Sequence, residues 1–424
     1  MLKNHLSSTH TPLSLSLKHT HTHTPGTRLG LRTTRSLDRG ETYLHIPSQL
    51  IMDHRSASSP ESALFDVLEE LKELYPPGDD YHNLIFHLIY ERFVLANSSY
   101  WWPYLESIPD PDTLDVPLLY SSLNEDMQRN LEGSRLYDMI NEYRTSVEER
   151  YHVVKSRVFE IYPQVFDVET HFTMRNYMWA TAVLDSRSVW WNERQHLVPL
   201  LDLVNCEVST SSSSLLDEEL REEIPEKFLD VLSDSSIVVR ARRSYESGES
   251  LREDYNLPNW YLFLHYGFVL PSVPSMTLVN PHDCFQTELI LEDTLKDFER
   301  KQRELQRRGM YETSLQSCLA PEFVSSDVWI FLRVKNNIED RDALGVRVAL
   351  YEHLNFRKSS YKTTLEEDFD ILSNANGHVF PTNRHARTSI QFRFEEKKAL
   401  RNVMDWLNKE IEKMGGVGGG GDEL

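Results

Sequence analysis

Residues 254–269 read DYNLPNWYLFLHYGFV, and this aromatic stretch decides the fold when it is set beside LLDLVNC at residues 200–206. The first segment begins with Tyr255 after an aspartate and ends in the element Y-G-F-V. The second segment carries Asp202 and Asn205 in a D-x-x-N quartet. Neither segment is decisive alone, since aromatic strings and such quartets arise by chance in any long chain. Their order and spacing, together with a third segment upstream, make the pattern informative.

The third segment is GLRTTRSLDRGE at residues 30–41. Gly30 has no side chain, so the backbone at this position can approach another group closely. Gly40 and Glu41 predict a second turn. The residues that follow, Thr42–Ile46, predict a strand that ends before Pro47.

Together the three segments resemble those that build the active site of SET-domain protein methyltransferases, in the branch typified by the Rubisco large-subunit lysine methyltransferase. That family opens on a G-x-G-L turn, and here Gly30 stands at the second glycine and Arg28 at the first. The resemblance spans about residues 28–412. It implies the α+β class, with a β-rich SET fold that contains a helical insertion and is followed by an all-α C-terminal domain.

The resemblance also implies a domain organisation for the 424 residues, a length that exceeds the roughly 250 to 300 residues of a single core. We expect a low-complexity or disordered N-terminus at 1–25, a SET domain at 26–272 with its helical insertion at about 60–180, a helical substrate-binding domain at 275–414 and a flexible Gly-rich tail at 415–424. The W-x-P-Y-L pattern at 101–105 and the L-x-G-S-x-L pattern at 131–136 resemble family landmarks.

Hydrophobic periodicity and turn residues predict the local elements. Helices are expected at 62–75, 83–96, 141–162, 172–192 and 289–308, and a strand at 237–241. Gly309 is a suitable C-terminal residue for the helix before it. Thr364 and Glu367 have the spacing of a capping box. The Ser-rich and acidic segment 207–230 predicts a mobile or variable insertion.

Composition limits the partners of the chain. There are 45 basic and 66 acidic residues, and the net charge of -21 repels phosphate backbones. Hydrophobic residues make up 40% of the chain, which suffices for packed cores. No run approaches the roughly 18 apolar residues of a membrane span. We therefore expect no nucleic-acid partner and no membrane partner. The chain is also expected to be a monomer.

The cysteines and histidines predict no metal centre. The chain has three cysteines, an odd number, and none of them has C-x-x-C spacing: Cys206, Cys284 and Cys318. Neither a disulfide framework nor a zinc cluster is therefore indicated. His19, His21 and His23 alternate with threonine, and such a tract binds metal adventitiously when no fixed geometry surrounds it.

By the resemblance, Tyr255 is the catalytic tyrosine, whose hydroxyl lies near the transferred methyl group and orients the nucleophile. Tyr266 is expected to wall the substrate channel, and Phe268 the cofactor pocket. An amine with a pKa of about 10.4 is mostly charged near neutrality. An apolar, aromatic channel lowers that pKa by desolvation, which explains why aromatic residues suit this position.

The resemblance also implies S-adenosyl-L-methionine as the cofactor. Leu29 and Gly30 fall at donor-contacting positions of the opening loop, as does Thr27. Arg187 matches a cofactor-facing arginine, and Asn205 matches the asparagine of an N-H pair that binds the amino-acid end of the cofactor. Cys206 stands in place of the histidine of that pair. Asp202 is expected to fix the local turn.

The function implied is S-adenosylmethionine-dependent protein N-methylation of a lysine on a non-histone protein. Two alternatives stay open, which are a histidine N-methyltransferase of the same branch and a catalytically inactive SET-like module that binds protein. The inactive module is an alternative because three residues differ from those that the family has at the same positions: Arg28, Cys206 and Asn256. A further alternative makes Cys206 a nucleophile with His196 or His265 as its base.

The expected location is cytoplasmic. Residues 1–25 are rich in Ser, Thr and His, and the first acidic residue of the chain is Asp38. Such a composition is also found in organelle transit peptides, so a chloroplast or another organelle is the alternative.

Overall fold

The computed structural model describes residues 13–17, 29–60, 62–71, 81–120, 125–207, 229–272, 280–295, 297–374, 381 and 383–415. The chain divides into two compact units. Unit 1 comprises Met1–Ser121 and Glu142–Tyr255, and unit 2 comprises Ser122–Asn141 and Asn256–Leu424. Thr27, Arg28, residues 208–228 of the acidic segment and most of the expected tail lie outside the described residues.

The strands of unit 1 are short and form several small sheets. In chain order they are β1 (Leu13–Leu17), β2 (Leu29–Thr33), β3 (Thr42–Ile46), β4 (Ser188–Trp191), β5 (Arg194–Leu197), β6 (Asn205–Cys206), β7 (Leu229–Val231), β8 (Ile237–Arg240) and β9 (Arg252–Glu253). They pair as β1-β2, β3-β8-β7, β4-β5 and β6-β9. β1 lies within the segment expected to be low-complexity, and it pairs antiparallel with β2.

The helices are distributed over both units. They are α1 (His54–Ala57), α2 (Phe65–Leu71), α3 (Tyr81–Ile89), α4 (Trp102–Leu105), α5 (Glu125–Asn130), α6 (Arg135–Val154), α7 (Met174–Arg187), α8 (Asn259–Tyr266), α9 (Phe298–Arg307), α10 (Ser326–Asn336), α11 (Ala343–Ser359), α12 (Leu365–Leu372) and α13 (Arg384–Lys413). Single π-helical turns continue α3 over Tyr90–Leu95 and α6 over Lys155–Phe159. No helix in the described ranges is both long and apolar enough to span a bilayer.

Unit 1 contains two hydrophobic cores. The SET-like core forms where the alternating strands β3 and β8 turn apolar side chains such as Leu44 and Val239 inward. The core of the helical insertion is aromatic, and Phe86, Phe159 and Phe166 pack ring against ring in its centre. Aromatic side chains bury large areas and prefer such tilted or edge-on contacts, so they stabilise the helices that precede the candidate site.

Unit 2 is built around the long helix α13, which contacts the early segment 122–141. Arg393 on α13 donates to the backbone oxygen of Asn130 at 2.9 Å and pairs with the buried Asp368. Ser134 donates to Glu396 at 3.0 Å. Residues 122–141 therefore belong to unit 2, although the sequence predicted them within the insertion of the SET domain. The division at Tyr255 also precedes the expected boundary near residue 272.

The α+β class is confirmed, and the C-terminal region is helical as expected. It also contains an antiparallel pair that the sequence did not predict, β10 (Phe285–Ile290) with β11 (Ser314–Leu319). The helix expected from residue 289 begins only at Phe298. The side chains at alternate positions 285, 287 and 289 of β10 are all buried, and this period of two is typical of a strand.

A second expected helix was too long. α7 ends at Arg187, and residues 188–191 form β4 instead of continuing the helix to 192. Val189 and two tryptophans favour a strand. Asn192 and Glu193 have φ values of 48° and 61°, which are the positive values required by the two-residue turn of a tight hairpin.

The expectation of no disulfide was wrong. The structure joins Cys284, just before β10, to Cys318 on β11, with their Cα atoms 5.4 Å apart. This distance is within the range that a disulfide spans. The pairing was missed because two cysteines far apart in sequence become neighbours only through the unpredicted hairpin.

Candidate active site

Two short strands bring candidate catalytic and cofactor residues of unit 1 together. β6 carries Asn205 and Cys206 and pairs in parallel with β9, where Arg252 lies opposite Asn205. Tyr255 follows β9, and its hydroxyl donates a hydrogen bond to the backbone oxygen of Val204 at 2.7 Å. The two sequence segments that carry Asn205 and Tyr255 therefore meet in space, and Tyr255 is anchored beside β6.

The opening strand β2 adds the next residues of this group. Asn205 Nδ2 donates to the backbone oxygen of Leu29 at 3.4 Å. A Cβ atom at Gly30 would lie 2.7 Å from the same nitrogen, which is closer than non-bonded atoms approach without a shift. A side chain at this position would displace the Asn205 amide, so glycine is what allows Asn205 to pack against β2. Leu29, Gly30 and Asn205 thus form one cluster.

Arg187 is held by a residue whose role the sequence did not predict. Arg187 Nη1 lies 3.0 Å from Asp202 Oδ2, and the Asp202 side chain is completely buried. Tyr104 donates its hydroxyl proton to the same oxygen at 3.2 Å. Asp202 therefore orients Arg187, in addition to lying in the turn that the sequence predicted. The sequence could not show this pair because its two residues lie on separate elements.

The Arg187-Asp202 pair has unused hydrogen-bonding capacity. Burial raises the pKa of Asp202 above its ordinary value, while Arg187 acts in the opposite direction. Arg187 Nε and Asp202 Oδ1 are buried and have no hydrogen-bond partner among the residues described. The neighbouring Leu200 has a φ of 74°, a conformation that costs about 1–3 kcal/mol. Strain and unsatisfied buried polar atoms are typical of functional sites.

Cys206 is poorly suited to nucleophilic chemistry. Burial raises the pKa of its thiol to about 12, so the group stays protonated near neutrality. The thiolate is the nucleophilic form of cysteine. The alternative in which Cys206 attacks a substrate with the help of His196 or His265 therefore loses its chemical basis.

Tyr266 and Phe268 belong to unit 2. Tyr266 is the last residue of α8, and Gly267 ends that helix in the left-handed conformation with a φ of 70°. The rings of Tyr266 and Phe268 meet edge to face with their centroids 6.1 Å apart. Gly267 thus allows the chain to reverse so that the two aromatic side chains pack together.

The residue after Tyr255 explains one departure from the family pattern. Asn256 has a φ of 55°, in the left-handed region that glycine adopts most easily. Asparagine is among the residues that tolerate this conformation best. Its presence in place of the family glycine is therefore compatible with the same backbone path.

Comparison with known proteins gives relatives along nearly the whole chain, although no family profile matches it. The chain is 24% identical to an actin-histidine N-methyltransferase from Plecturocebus moloch, over 88% of this chain and 63% of the relative. A relative of the same name from Otolemur garnettii is 25% identical, over 91% of this chain and 65% of its own length. The chain thus spans less than two thirds of these relatives.

Solved structures show the same fold. A crystal structure of the SET domain of LSMT bound to lysine and AdoHcy superposes with a TM-score of 0.71 at 18% identity, covering 97% of this chain and 90% of that chain. A structure of Rubisco LSMT bound to AdoMet gives a TM-score of 0.70 with the same identity and coverage. The SET fold expected from the sequence is therefore confirmed.

Proposed function

We propose that this chain is an S-adenosylmethionine-dependent protein N-methyltransferase. The observation that carries the proposal is the cluster of Gly30, Asn205 and Tyr255, which the SET fold assembles from three distant segments. Each of these residues stands where the resemblance expects a contact to the methyl donor or to the reacting atoms. The relatives and solved structures that share the fold are named as methyltransferases or as their complexes.

The residues present fit the cofactor. The absent Cβ of Gly30 lets the Asn205 amide pack directly against β2, and Arg187 Nε and Asp202 Oδ1 are buried polar atoms with capacity to bind. S-adenosylmethionine supplies a methyl group on a positively charged sulfur. The residues proposed to hold it are Leu29, Gly30, Arg187, Asn205, Cys206 and Phe268.

Tyr255 is the proposed catalytic residue, and Tyr266 is proposed to wall the substrate channel. The hydrogen bond from Tyr255 to the Val204 carbonyl fixes the position of its hydroxyl oxygen. That oxygen keeps lone pairs that can accept a hydrogen bond from an N–H group of the side chain to be methylated. Positioning of this kind removes much of the entropic cost of a bimolecular reaction.

For the acceptor we propose a histidine of a protein substrate, with lysine as the competing possibility. The sequence predicted lysine. The curated relatives, which cover more than four fifths of this chain, are actin-histidine N-methyltransferases, whereas the structures solved with lysine share only the fold at lower identity. Actin is accordingly the first substrate to test.

Cofactor binding should depend on the Gly30-Asn205 contact. Gly30→Ala places a Cβ atom 2.7 Å from Asn205 Nδ2, and the amide must rotate away. We expect Gly30→Ala and Asn205→Ala each to weaken S-adenosylmethionine binding roughly tenfold, the effect of losing one buried hydrogen bond. Isothermal titration calorimetry measures it, and Ser36→Ala on the exposed part of the same segment is the control. A wild-type protein that binds no cofactor at millimolar concentration would favour the inactive module.

The pH dependence of methylation should identify the acceptor. Only the neutral nitrogen attacks, and the ordinary pKa is about 6.5 for histidine and 10.4 for lysine. With actin and labelled S-adenosylmethionine, we expect kcat/KM to rise up to about pH 7 and then stay level. A rate that keeps rising beyond pH 8, with methyl-lysine in the hydrolysed product, would overturn the histidine proposal. If actin is not labelled, the same measurement on a cell extract identifies the substrate.

A further inference from the structure

Three side chains of unit 1 that the proposed reaction does not use lie together between α1 and β5. Asp53 precedes α1, His54 is its first residue, and His196 lies on β5. One ligand atom of each lies within 4.8 Å of the other two. Asp53 and His196 are 1% and 3% exposed. The sequence predicted no metal centre, because His196 is far from the other two residues along the chain.

The structure holds two of the three side chains firmly. Asp53 caps α1, and its Oδ1 accepts hydrogen bonds from the backbone nitrogens of Arg55 and Ser56 at 2.8 and 3.2 Å. The His196 ring stacks on Trp191 with a centroid distance of 3.4 Å. Its Nδ1 lies 3.0 Å from the backbone oxygen of Arg194, so Nε2 is the nitrogen directed towards Asp53.

We propose that Asp53, His54 and His196 form a binding site for a divalent transition-metal ion, for which Zn²⁺ is the best candidate. Two imidazoles and one carboxylate are a ligand set that suits Zn²⁺ and its neighbours rather than Mg²⁺ or Ca²⁺. Asp53 Oδ2 and His196 Nε2 are 3.7 Å apart. Two ligands at about 2.1 Å from a tetrahedral ion stand about 3.4 Å apart, so a small shift closes the site.

The environment supports both the geometry and access to the site. A histidine that binds a metal through one nitrogen usually donates the other N–H to a carboxylate, a backbone carbonyl or water, and in His196 the backbone oxygen of Arg194 is that partner. A cavity of about 570 Å³ reaches His54 and His196, and it leaves room for water as a further ligand. An ion here would link β5 to α1, in addition to the backbone hydrogen bonds that already join Met52 and Leu197.

Arg55 competes with the ion for Asp53. Its guanidinium donates to Asp53 Oδ2 through Nε at 2.9 Å and Nη2 at 2.6 Å. The Arg55 side chain is 44% exposed, so it can turn into solvent when an ion arrives. Removal of Arg55 should therefore raise the affinity of the site for the metal, although Arg55 is a hydrogen-bond partner of Asp53.

The test titrates Zn²⁺ into the full chain, in a background where His19, His21 and His23 are alanines, so that the N-terminal tract does not contribute. We expect one site, lost or weakened at least about tenfold in His54→Ala and in His196→Ala, since each removes a ligand. In Arg55→Ala the affinity should rise about two- to fivefold, the value of a partly exposed ion pair. His152→Ala, on the exposed face of α6, is the control.

Cobalt substitution provides a second readout. Co²⁺ in a low-coordinate site with nitrogen ligands absorbs visible light more strongly than aqueous Co²⁺, and this band should disappear in His54→Ala. The partly exposed His54 keeps the test valid if His196→Ala does not fold. Zinc affinity that is unchanged in His54→Ala, or weakened in Arg55→Ala, would overturn the proposal.

Discussion

Tyr255→Phe is expected to reduce methylation of the protein substrate by roughly a hundredfold or more, the cost of removing one positioned hydrogen-bonding group from a reacting centre. The phenyl ring fills the same space, but the oxygen that is fixed by the Val204 carbonyl is lost. Because that oxygen is proposed to act on the reacting atoms, kcat should fall while the affinity for S-adenosylmethionine stays nearly unchanged. Single-turnover rates measure the chemical step, and calorimetry on the same protein measures the affinity for S-adenosylmethionine.

A matched control comes from the same sheet region. Tyr245 also donates its hydroxyl proton to a backbone oxygen, that of Arg252, at 2.9 Å. Tyr245→Phe and Tyr255→Phe should therefore lose similar folding stability, about 1 kcal/mol for one hydrogen bond. Only Tyr255→Phe should lose activity. Equal rates in the two variants would remove Tyr255 from the mechanism.

Asp368→Asn should destabilise unit 2 by about 3–5 kcal/mol, because it leaves two buried cations without their carboxylate. Asp368 is fully buried and accepts hydrogen bonds from Arg393 Nε at 2.9 Å and from Lys397 Nζ at 2.8 Å. Asparagine has nearly the same size, so the effect is one of charge rather than of packing. Urea unfolding followed by tryptophan fluorescence measures the change in the free energy of unfolding.

The control for Asp368→Asn is Asp340→Asn. Asp340 pairs with Arg308 at 2.9 Å, but its side chain is 66% exposed. Water replaces the lost contact of an exposed pair, so little change in stability is expected. If both variants unfold at the same urea concentration as the wild type, the buried charges of α12 and α13 do not stabilise unit 2.

The parts of the fold that sequence predicted well are those whose signals are local. The strand at Thr42–Ile46 ends at a proline, and the capping box of Thr364 and Glu367 is formed as expected. The hairpin β4-β5 was missed because its turn, Asn192-Glu193, lacks the glycine that usually marks such turns. The last two residues of β10, 289 and 290, were wrongly assigned to the helix that follows, since a short apolar segment does not by itself distinguish a strand from a helix.

In the candidate site, too, the features with local sequence signals were predicted and those that depend on tertiary contacts were not. The positions of Tyr255, Asn205 and Gly30 could be expected because each lies in a sequence segment of recognisable order. The orientation of Arg187 by Asp202 and Tyr104 could not, because it depends on three elements that meet only after folding. For the same reason no pattern in the sequence indicated the cluster of Asp53 and His196.

The contact of α13 with residues 122–141 has a consequence for the growing polypeptide on the ribosome. Asn130 and Arg393 are separated by 263 positions, and at about 5–20 residues per second the later residue appears roughly 13 to 53 seconds after the earlier one. During that delay Asn130 and Ser134 lack the hydrogen-bond partners that α13 supplies in the finished protein. The contacts of this segment with α13 therefore form late in synthesis, and transient protection of residues 125–141 by a chaperone would favour a high yield of native protein.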